Sequence, residues 1–355
     1  MIFLIAVAAL VVGGGAAYVA SEDVRYLARA GLEETRILAA ARPIDEIAAD
    51  PGAAPGLRAT LQLVLDARDF AAELGFEAKE TYTTYTDVGR DTLLLVLQGA
   101  PKNCICPVTW KWPIVGRMPY KGFFDPEAAQ RAAGELAARG YDIHLRPAGA
   151  FSTLGWFNDP LLSTAMSRDS VELVATVFHE IAHNSLYVKS ATPFNESFAQ
   201  MAGYRAAEAF FRSRGDSVSA ARAADRLHDE TVLGAFYAEL TQRLESFYAR
   251  EPDPAALDSG RLAEGRWVRA QLEGPVGDSL RTISVSAAPD RPVNNARLIG
   301  AMIYRTKLDR FDAWYQRHGG DIGRSVATLR ELLSGAEGEE AFERLEAALA
   351  GESPG

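Results

Sequence analysis

Residues 171–183 read Val171-Glu172-Leu173-Val174-Ala175-Thr176-Val177-Phe178-His179-Glu180-Ile181-Ala182-His183, and this stretch decides the reading of the chain. Residues 171–178 form an apolar helical lead-in, and Asp169 and Ser170 stand just before it as helix-start residues. His179 and His183 are four apart, so on a helix their imidazoles project from one face, one turn apart. Two imidazoles presented this way can grip one zinc ion, and Glu180 beside them can hold and deprotonate a water on that ion. The chemistry needs this arrangement: zinc lowers the pKa of its water to roughly 7, and a neighbouring carboxylate takes the proton as the water attacks a carbonyl.

A catalytic zinc takes three protein ligands and leaves a position for water. Three and six residues after His183 stand Leu186 and Lys189, which excludes the metzincin pattern with a third histidine. Thr192-Pro193 reads as a helix start, a capping hydroxyl followed by proline at the first helical position. The motif helix is therefore expected to end near Tyr187, and a second helix to begin near Pro193 after a short loop. Glu196 then falls in the first turn of that helix, facing the histidines, and is the expected third metal ligand. The helix dipole favours a glutamate there even without a metal. Glu208 on the same helix and Glu230 further on are rival carboxylates.

Asn195-Glu196-Ser197-Phe198-Ala199 resembles the N-E-x-F-A element that carries the glutamate ligand in gluzincin aminopeptidases, with a shorter gap to the histidine pair. A longer string resembles the bacterial putative aminopeptidase family of zinc proteins. It comprises residues 151–160 (FSTLGWFNDP), HEIAH, Tyr187-Val188-Lys189 and FNESFA, with Pro119 to Asp125 and Asn294 to Leu298 as further matching elements. The resemblance covers roughly residues 25–335 and implies a zinc peptidase, with peptides as substrate.

The 355 residues are enough for a sizeable core. Lys plus Arg number 37 and Asp plus Glu 47, a net charge of −10 with no basic run, which argues against nucleic acid as a partner. No feature points to a protein partner. Ile2 to Ala20 carries no charge and is about long enough to span a bilayer. Residues 1–20 are read as either a membrane anchor or a secretory signal cleaved after small residues, although no Lys or Arg precedes the apolar run. Either way the chain is expected to be exported to the cell envelope, in the periplasm or anchored to the membrane. Cys104 and Cys106 are too few for a disulfide scaffold; an oxidising compartment could pair them, but the ring would be strained.

Along the chain, residues 21–50 and Leu57 to Leu74 read as helices, Thr92 to Gln98 as a strand, and Cys104 to Gly122 as irregular. A helix is expected over Asp125 to Arg139, and strands over Asp142 to Leu145 and Ala150 to Trp156. Residues 170–213 hold the two zinc helices. Asp216 to Leu349 is nearly all helical, broken near Pro252–Pro254, Gly274–Pro275 and Gly319–Gly320. The expected fold class is α+β and predominantly helical: a zincin-like catalytic domain over 21–350, with a small sheet at about 90–160 beside the HExxH helix. Ser152 to Trp156 is the candidate sheet edge for adding a peptide strand. Tyr187, Tyr204, Tyr304 and Arg297 are candidate oxyanion donors, and Asn294 and Asn295 candidates for contacts to substrate or around the metal. His144, His228 and His318 lack a motif, and His228 is expected to be solvated.

The reading is thus a zinc-dependent peptidase, by resemblance an aminopeptidase, with Glu180 as base and His179, His183 and Glu196 as ligands. An endopeptidase and a non-catalytic, zinc-stabilised envelope binding protein are the alternatives. Glu180 separates the last from the others, because a structural zinc site closed by four ligands needs no base.

Overall fold

The structure, a computed structural model, describes residues 19–112, 116–149, 159–285 and 289–351. The strand expected over Ala150 to Trp156, nearly all of the apolar N-terminal run, and with them the proposed peptide-binding edge lie outside the described residues. Among the described residues no helix is long and apolar enough to cross a membrane.

The first half alternates helices and short strands: α1 (Glu22–Ala39), β1 (Arg42–Pro43), α2 (Ile44–Ala49), α3 (Pro55–Glu73), β2 (Thr84–Thr86), β3 (Leu94–Ala100), β4 (Trp110–Trp112), β5 (Gly116–Met118), β6 (Lys121–Phe123), α4 (Pro126–Ala138), β7 (Asp142–Ala148) and β8 (Leu161–Leu162). The second half is helical: α5 (Ser170–Ser185), α6 (Thr192–Ser213), α7 (Ser217–Tyr248), α8 (Pro254–Leu272), α9 (Pro275–Ser279), α10 (Asn295–Met302), α11 (Leu308–Arg317), α12 (Ile322–Leu332) and α13 (Glu340–Ala350). The protein is therefore predominantly helical with small sheets, as an α+β fold requires.

The single small sheet of the sequence reading is replaced by three among the described residues. β3 is the centre of one, antiparallel to β6 and to β7, with Leu94 opposite Ala148 and Ala100 opposite Asp142. β1, β2 and β8 form a second, which draws two strands from before residue 90. β4 and β5 pair as a hairpin, Trp110 opposite Met118, inside the stretch expected to be irregular. Trp110 and Gly116 there belong to short paired strands rather than to irregular chain. A further departure is the non-helical segment Leu280 to Val285, where Asp229 accepts hydrogen bonds from the backbone N–H groups of Arg281, Thr282 and Ile283. No local pattern announces such a side-chain clamp.

The core gathers around α5 and α6. Val171, Leu173, Val174, Val177, Phe178 and Ile181 of α5 are buried, joined by Leu61 and Val64 of α3 and Leu161 of β8. Phe70, Phe178 and Phe210 meet edge to face, with centroids 5.6 to 6.2 Å apart. Phe194 does the same with Phe311 and Phe342 at 5.0 Å. Each such ring contributes about 1.5–3 kcal/mol by burial, plus about 0.5–1.5 kcal/mol per aromatic pair. α6 is thus pinned at both ends, to α5 and α3 through Phe210 and to α11 and α13 through Phe194, before any metal chemistry is considered.

α6 also approaches α5 unusually closely. Ala199, Ala202, Gly203, Ala206 and Ala207 are buried on it, a run of small side chains that lets backbones come together. At Gly203 the approach is closest: an added Cβ would lie 2.6 Å from the Ala175 carbonyl oxygen and 3.3 Å from the His179 Cβ. Gly203 is seven residues beyond Glu196, two helical turns, so both share the face turned to α5. Gly203→Ala is expected to push the helices apart at His179, lowering stability by about 1–3 kcal/mol and weakening metal binding. Denaturant unfolding with a metal titration checks this. Unchanged values for both would show that the close approach does not set the site.

Candidate metal centre

Asp169 caps α5 by accepting from the Val171 N–H at 3.0 Å, as its position before the apolar run suggests. The helix then runs through the motif and stops at Ser185. Its last turn is docked by a separate segment: the Ser185 hydroxyl accepts from the Glu77 N–H at 2.9 Å, and the Asn184 amide donates to the Thr81 hydroxyl at 2.7 Å. His179 and His183 therefore leave a fixed helix from one face.

The return is made differently from the expectation. Thr192 is the first residue of α6 rather than its cap; Ala191 holds the cap position and no side chain caps it. Glu196 is consequently the fifth helical residue, past the first turn. The loop is held instead by Asn195, whose Oδ1 accepts from the Val188 N–H at 2.9 Å while its Nδ2 donates to the Val188 carbonyl at 2.7 Å. A buried amide that satisfies both backbone groups of one residue closes the turn at about 0.5–1.5 kcal/mol per hydrogen bond. This explains an asparagine directly before Glu196. The Ser197 hydroxyl on the other side reaches the Ile303 carbonyl at 3.5 Å.

His179 Nε2 and His183 Nε2 lie 3.2 Å apart. Glu196 Oε2 lies 3.4 Å from the first and 3.7 Å from the second. Ligand atoms at tetrahedral angles around an ion, with bonds of about 2.0–2.2 Å, stand about 3.3–3.6 Å from one another. The three atoms match that spacing, so these residues can hold a metal ion. They form the only group of three or more His, Cys, Asp or Glu side chains among the described residues with such geometry. His183 Nδ1 is buried without a hydrogen-bond partner among those residues, so the Nε2 side alone orients the ring.

The rival carboxylates are engaged elsewhere. Glu208 takes Arg205 and Arg212, and Glu230 pairs with Arg305 at 2.6 Å. Burial pushes the Glu196 carboxyl up, but hydrogen bonds and charge from both histidines outweigh it and bring it down to about 2. Burial lowers His183, and the charges of Glu196 and Glu180 with the Glu196 hydrogen bond more than offset this, leaving it raised. The negative charge of Glu180 is felt at His183, Tyr82 and Tyr304, which places it at the same centre. Among the described residues no hydrogen bond or ion pair occupies its partly exposed carboxylate.

Of the four oxyanion candidates, Tyr304 comes to the site: its ring centroid is 6.1 Å from that of His179. Tyr187 feels the charge of Glu196 but is 54% exposed. Tyr204 donates its hydroxyl to Glu172 instead, and the charge of Arg297 acts on His144. Asn294 and Asn295 turn out to build the fold. Asn294 caps α10 and donates to the Ile143 carbonyl; Asn295 donates to the Pro101 and Cys104 carbonyls and accepts from Tyr248. His144 meets Gln98 and His318 packs on Trp314. His228, expected to be solvated, meets the Ser279 carbonyl at 3.1 Å. Cys104 and Cys106 are joined as a disulfide, despite the strain expected of so short a ring.

Tyr120, Tyr82 and Arg146 were not singled out from the sequence. Burial pushes the Tyr120 and Tyr304 hydroxyls above the ordinary tyrosine range; Glu196 adds to this and Arg146 opposes it. Both are therefore neutral hydroxyls, able to donate beside the triad. Tyr82, buried with φ of 55°, lies within the field of Glu180. A shared tertiary neighbourhood is their only signal, and no spacing rule carries it.

The family model described as Putative aminopeptidase matches residues 25–345, which include the triad, Glu180 and both tyrosines near it. No curated protein and no solved structure gives a match.

Proposed function

The chain belongs to the putative aminopeptidase family, and from that premise we propose that it is a zinc-dependent aminopeptidase of gluzincin type. The observation that carries this reading is the tripod of His179 Nε2, His183 Nε2 and Glu196 Oε2, with separations of 3.2 to 3.7 Å, beside Glu180, whose carboxylate has no hydrogen bond or ion pair among the described residues. Two imidazoles and one carboxylate suit zinc, and three ligands leave a position open for catalysis. When bound, zinc would supply Lewis acidity and an acidified water. Glu180 accepts the proton of the attacking water and returns it to the leaving amine. Tyr304, neutral and beside His179, is placed to donate to the oxygen on which charge develops. We assign this chemistry to a zincin-like domain over residues 21–350.

The test is turnover of matched peptides with free and acetylated amino termini, with a chelator-treated control. An aminopeptidase cleaves the free forms and leaves blocked ones nearly untouched, and chelation abolishes both. Equal cleavage of blocked and free peptides makes the protein an endopeptidase. Cleavage that survives complete metal removal contradicts the zinc reading.

We further propose export to the cell envelope. The uncharged run Ile2 to Ala20 and the Cys104–Cys106 disulfide support it, since disulfides persist in oxidising compartments. Expressed in a Gram-negative host, the full chain is expected in the envelope fraction, and a form lacking residues 1–20 in the cytosol. Full-length protein in the cytosolic fraction would overturn the export reading.

A further inference from the structure

α1 is fixed to the domain by one side. Tyr26 meets the Phe123 ring edge to face, with centroids 5.8 Å apart, and lies under the Lys121 ammonium at 4.5 Å. The Ile37 carbonyl accepts from the Thr86 hydroxyl at 3.0 Å, and Arg90 reaches Glu33 at 3.2 Å. Glu33 and Ile37 are buried accordingly. Tyr26, Glu33 and Ile37 stand seven and four residues apart and so share one face of the helix.

The opposite face is apolar and open. Val24, Leu27, Ala28, Gly31, Leu32 and Thr35 fall on a stripe about 140° wide. Leu27 and Leu32 are 46% and 45% exposed, and Ala28, Gly31 and Thr35 are exposed. A Cβ added at Gly31 would meet no atom within 4 Å. The Thr35 hydroxyl donates to the Gly31 carbonyl at 2.7 Å, so the one polar side chain of the stripe is satisfied within the helix. Arg25, Arg29 and Arg36 run along one edge of the stripe. Arg29 and Arg36 share the Glu33 carboxylate with Arg90, at 3.2, 3.0 and 3.2 Å, and both remain half-exposed. Three guanidiniums on one carboxylate leave that cluster net positive. At the other edge Asp23 is paired with Lys121 at 3.5 Å, and burial pushes the Glu34 carboxyl up.

The chain enters α1 through a break. Ser21 is extended, at φ −121° and ψ 123°, and its hydroxyl accepts from the Val24 N–H at 3.3 Å. α1 therefore starts afresh after Ser21, and the uncharged run Ile2 to Ala20 ends at the residue before this cap. A bilayer that takes up the run lies at the start of α1, and the break lets α1 turn onto its surface. The stripe is the convex side of a helix and holds no Trp, Tyr, Phe or Met, the residues in which protein interfaces are enriched. An aliphatic stripe edged by arginines suits acyl chains and headgroup phosphates instead.

We propose that α1 lies flat on a lipid bilayer, with its apolar stripe at the boundary of headgroups and acyl chains and Arg25, Arg29 and Arg36 among anionic headgroups. α1 and residues 2–20 then make two attachments, which hold the domain in one orientation on the membrane. The proposal goes beyond the peptidase and export readings.

Spin labels test it on the full chain in mixed phosphatidylcholine–phosphatidylglycerol vesicles. They are placed at Ala28→Cys and Thr35→Cys on the stripe and at Val218→Cys, 72% exposed on α7, as the control. Cys104 and Cys106 are joined to each other and take no label. Collisions with oxygen, which concentrates in lipid, are compared with collisions with a nickel chelate, which stays in water. Both stripe labels are expected to show an oxygen-to-nickel ratio roughly tenfold above that of the control, and to match each other. If α1 stood upright on the membrane, the two labels would differ in depth by about 10 Å. Leu27→Glu with Leu32→Glu, checked for fold by circular dichroism, is expected to bring both ratios down to that of the control. A Thr35→Cys label as wet as the control overturns the proposal, as do stripe labels that stay in lipid in the folded glutamate variant. A full chain that does not sediment with the vesicles overturns it too. Shielding of both labels from oxygen and nickel alike means that protein covers the stripe and overturns it; dipolar broadening between labels then identifies a second copy of the chain. No arm of the test reads turnover or location in a cell, so its outcome is independent of both earlier readings.

Discussion

Glu180→Gln is expected to keep the metal and lower kcat by about 10²- to 10⁴-fold, the usual contribution of a general base. The amide preserves the size of the side chain and its place on α5, so the histidine pair is undisturbed. It removes the one function that a partly exposed carboxylate beside the triad can supply, acceptance of a proton. Metal content measured by atomic absorption, with kcat on any peptide that the wild type cleaves, decides the matter. A variant that keeps more than about a tenth of wild-type turnover would remove Glu180 from the mechanism.

Glu196→Ala is expected to act one step earlier, on the metal itself. Two imidazoles make a weak site, and the carboxylate both completes the tripod and balances part of the ion's charge. Loss of a partner that only orients a ligand costs about 10- to 100-fold in affinity, so loss of the ligand should cost more, with nearly all activity. Glu208→Ala is the control. Glu208 is paired with Arg205 and Arg212 on the same helix, so its removal leaves the metal in place. Dialysis against a graded chelator reads both variants. Equal retention of metal by Glu196→Ala and the wild type would show that another group completes the site.

The parts of the fold legible in the sequence are those set by local periodicity and termini. The apolar run before His179 and the Asp169 cap define α5 within a residue or two. The i, i+4 spacing of the histidines carries over directly to a Nε2–Nε2 separation of 3.2 Å. The place of Glu196 beside the two histidines was legible from its distance along the chain, although the turn that delivers it differs from the expectation. Thr192-Pro193 looked like a cap and a first residue, whereas the turn is closed by the Asn195 side chain on Val188. The elements missed depend on partners far away in sequence. Gly203 matters only because Ala175 and His179 lie against it. Asn294 and Asn295 were misjudged for the same reason: a pair of amides reads as polar and available until their carbonyl partners from residues 101, 104 and 143 are known.

The central claim, that His179, His183 and Glu196 hold one catalytic zinc, is tested most directly by anomalous diffraction at the zinc edge from crystals of the zinc-reconstituted protein. The account predicts a single strong peak, with His179 Nε2, His183 Nε2 and one Glu196 carboxylate oxygen each about 2.0–2.2 Å away. A peak coordinated by Glu208 or Glu230 in place of Glu196, or no peak between the two histidines, would contradict it.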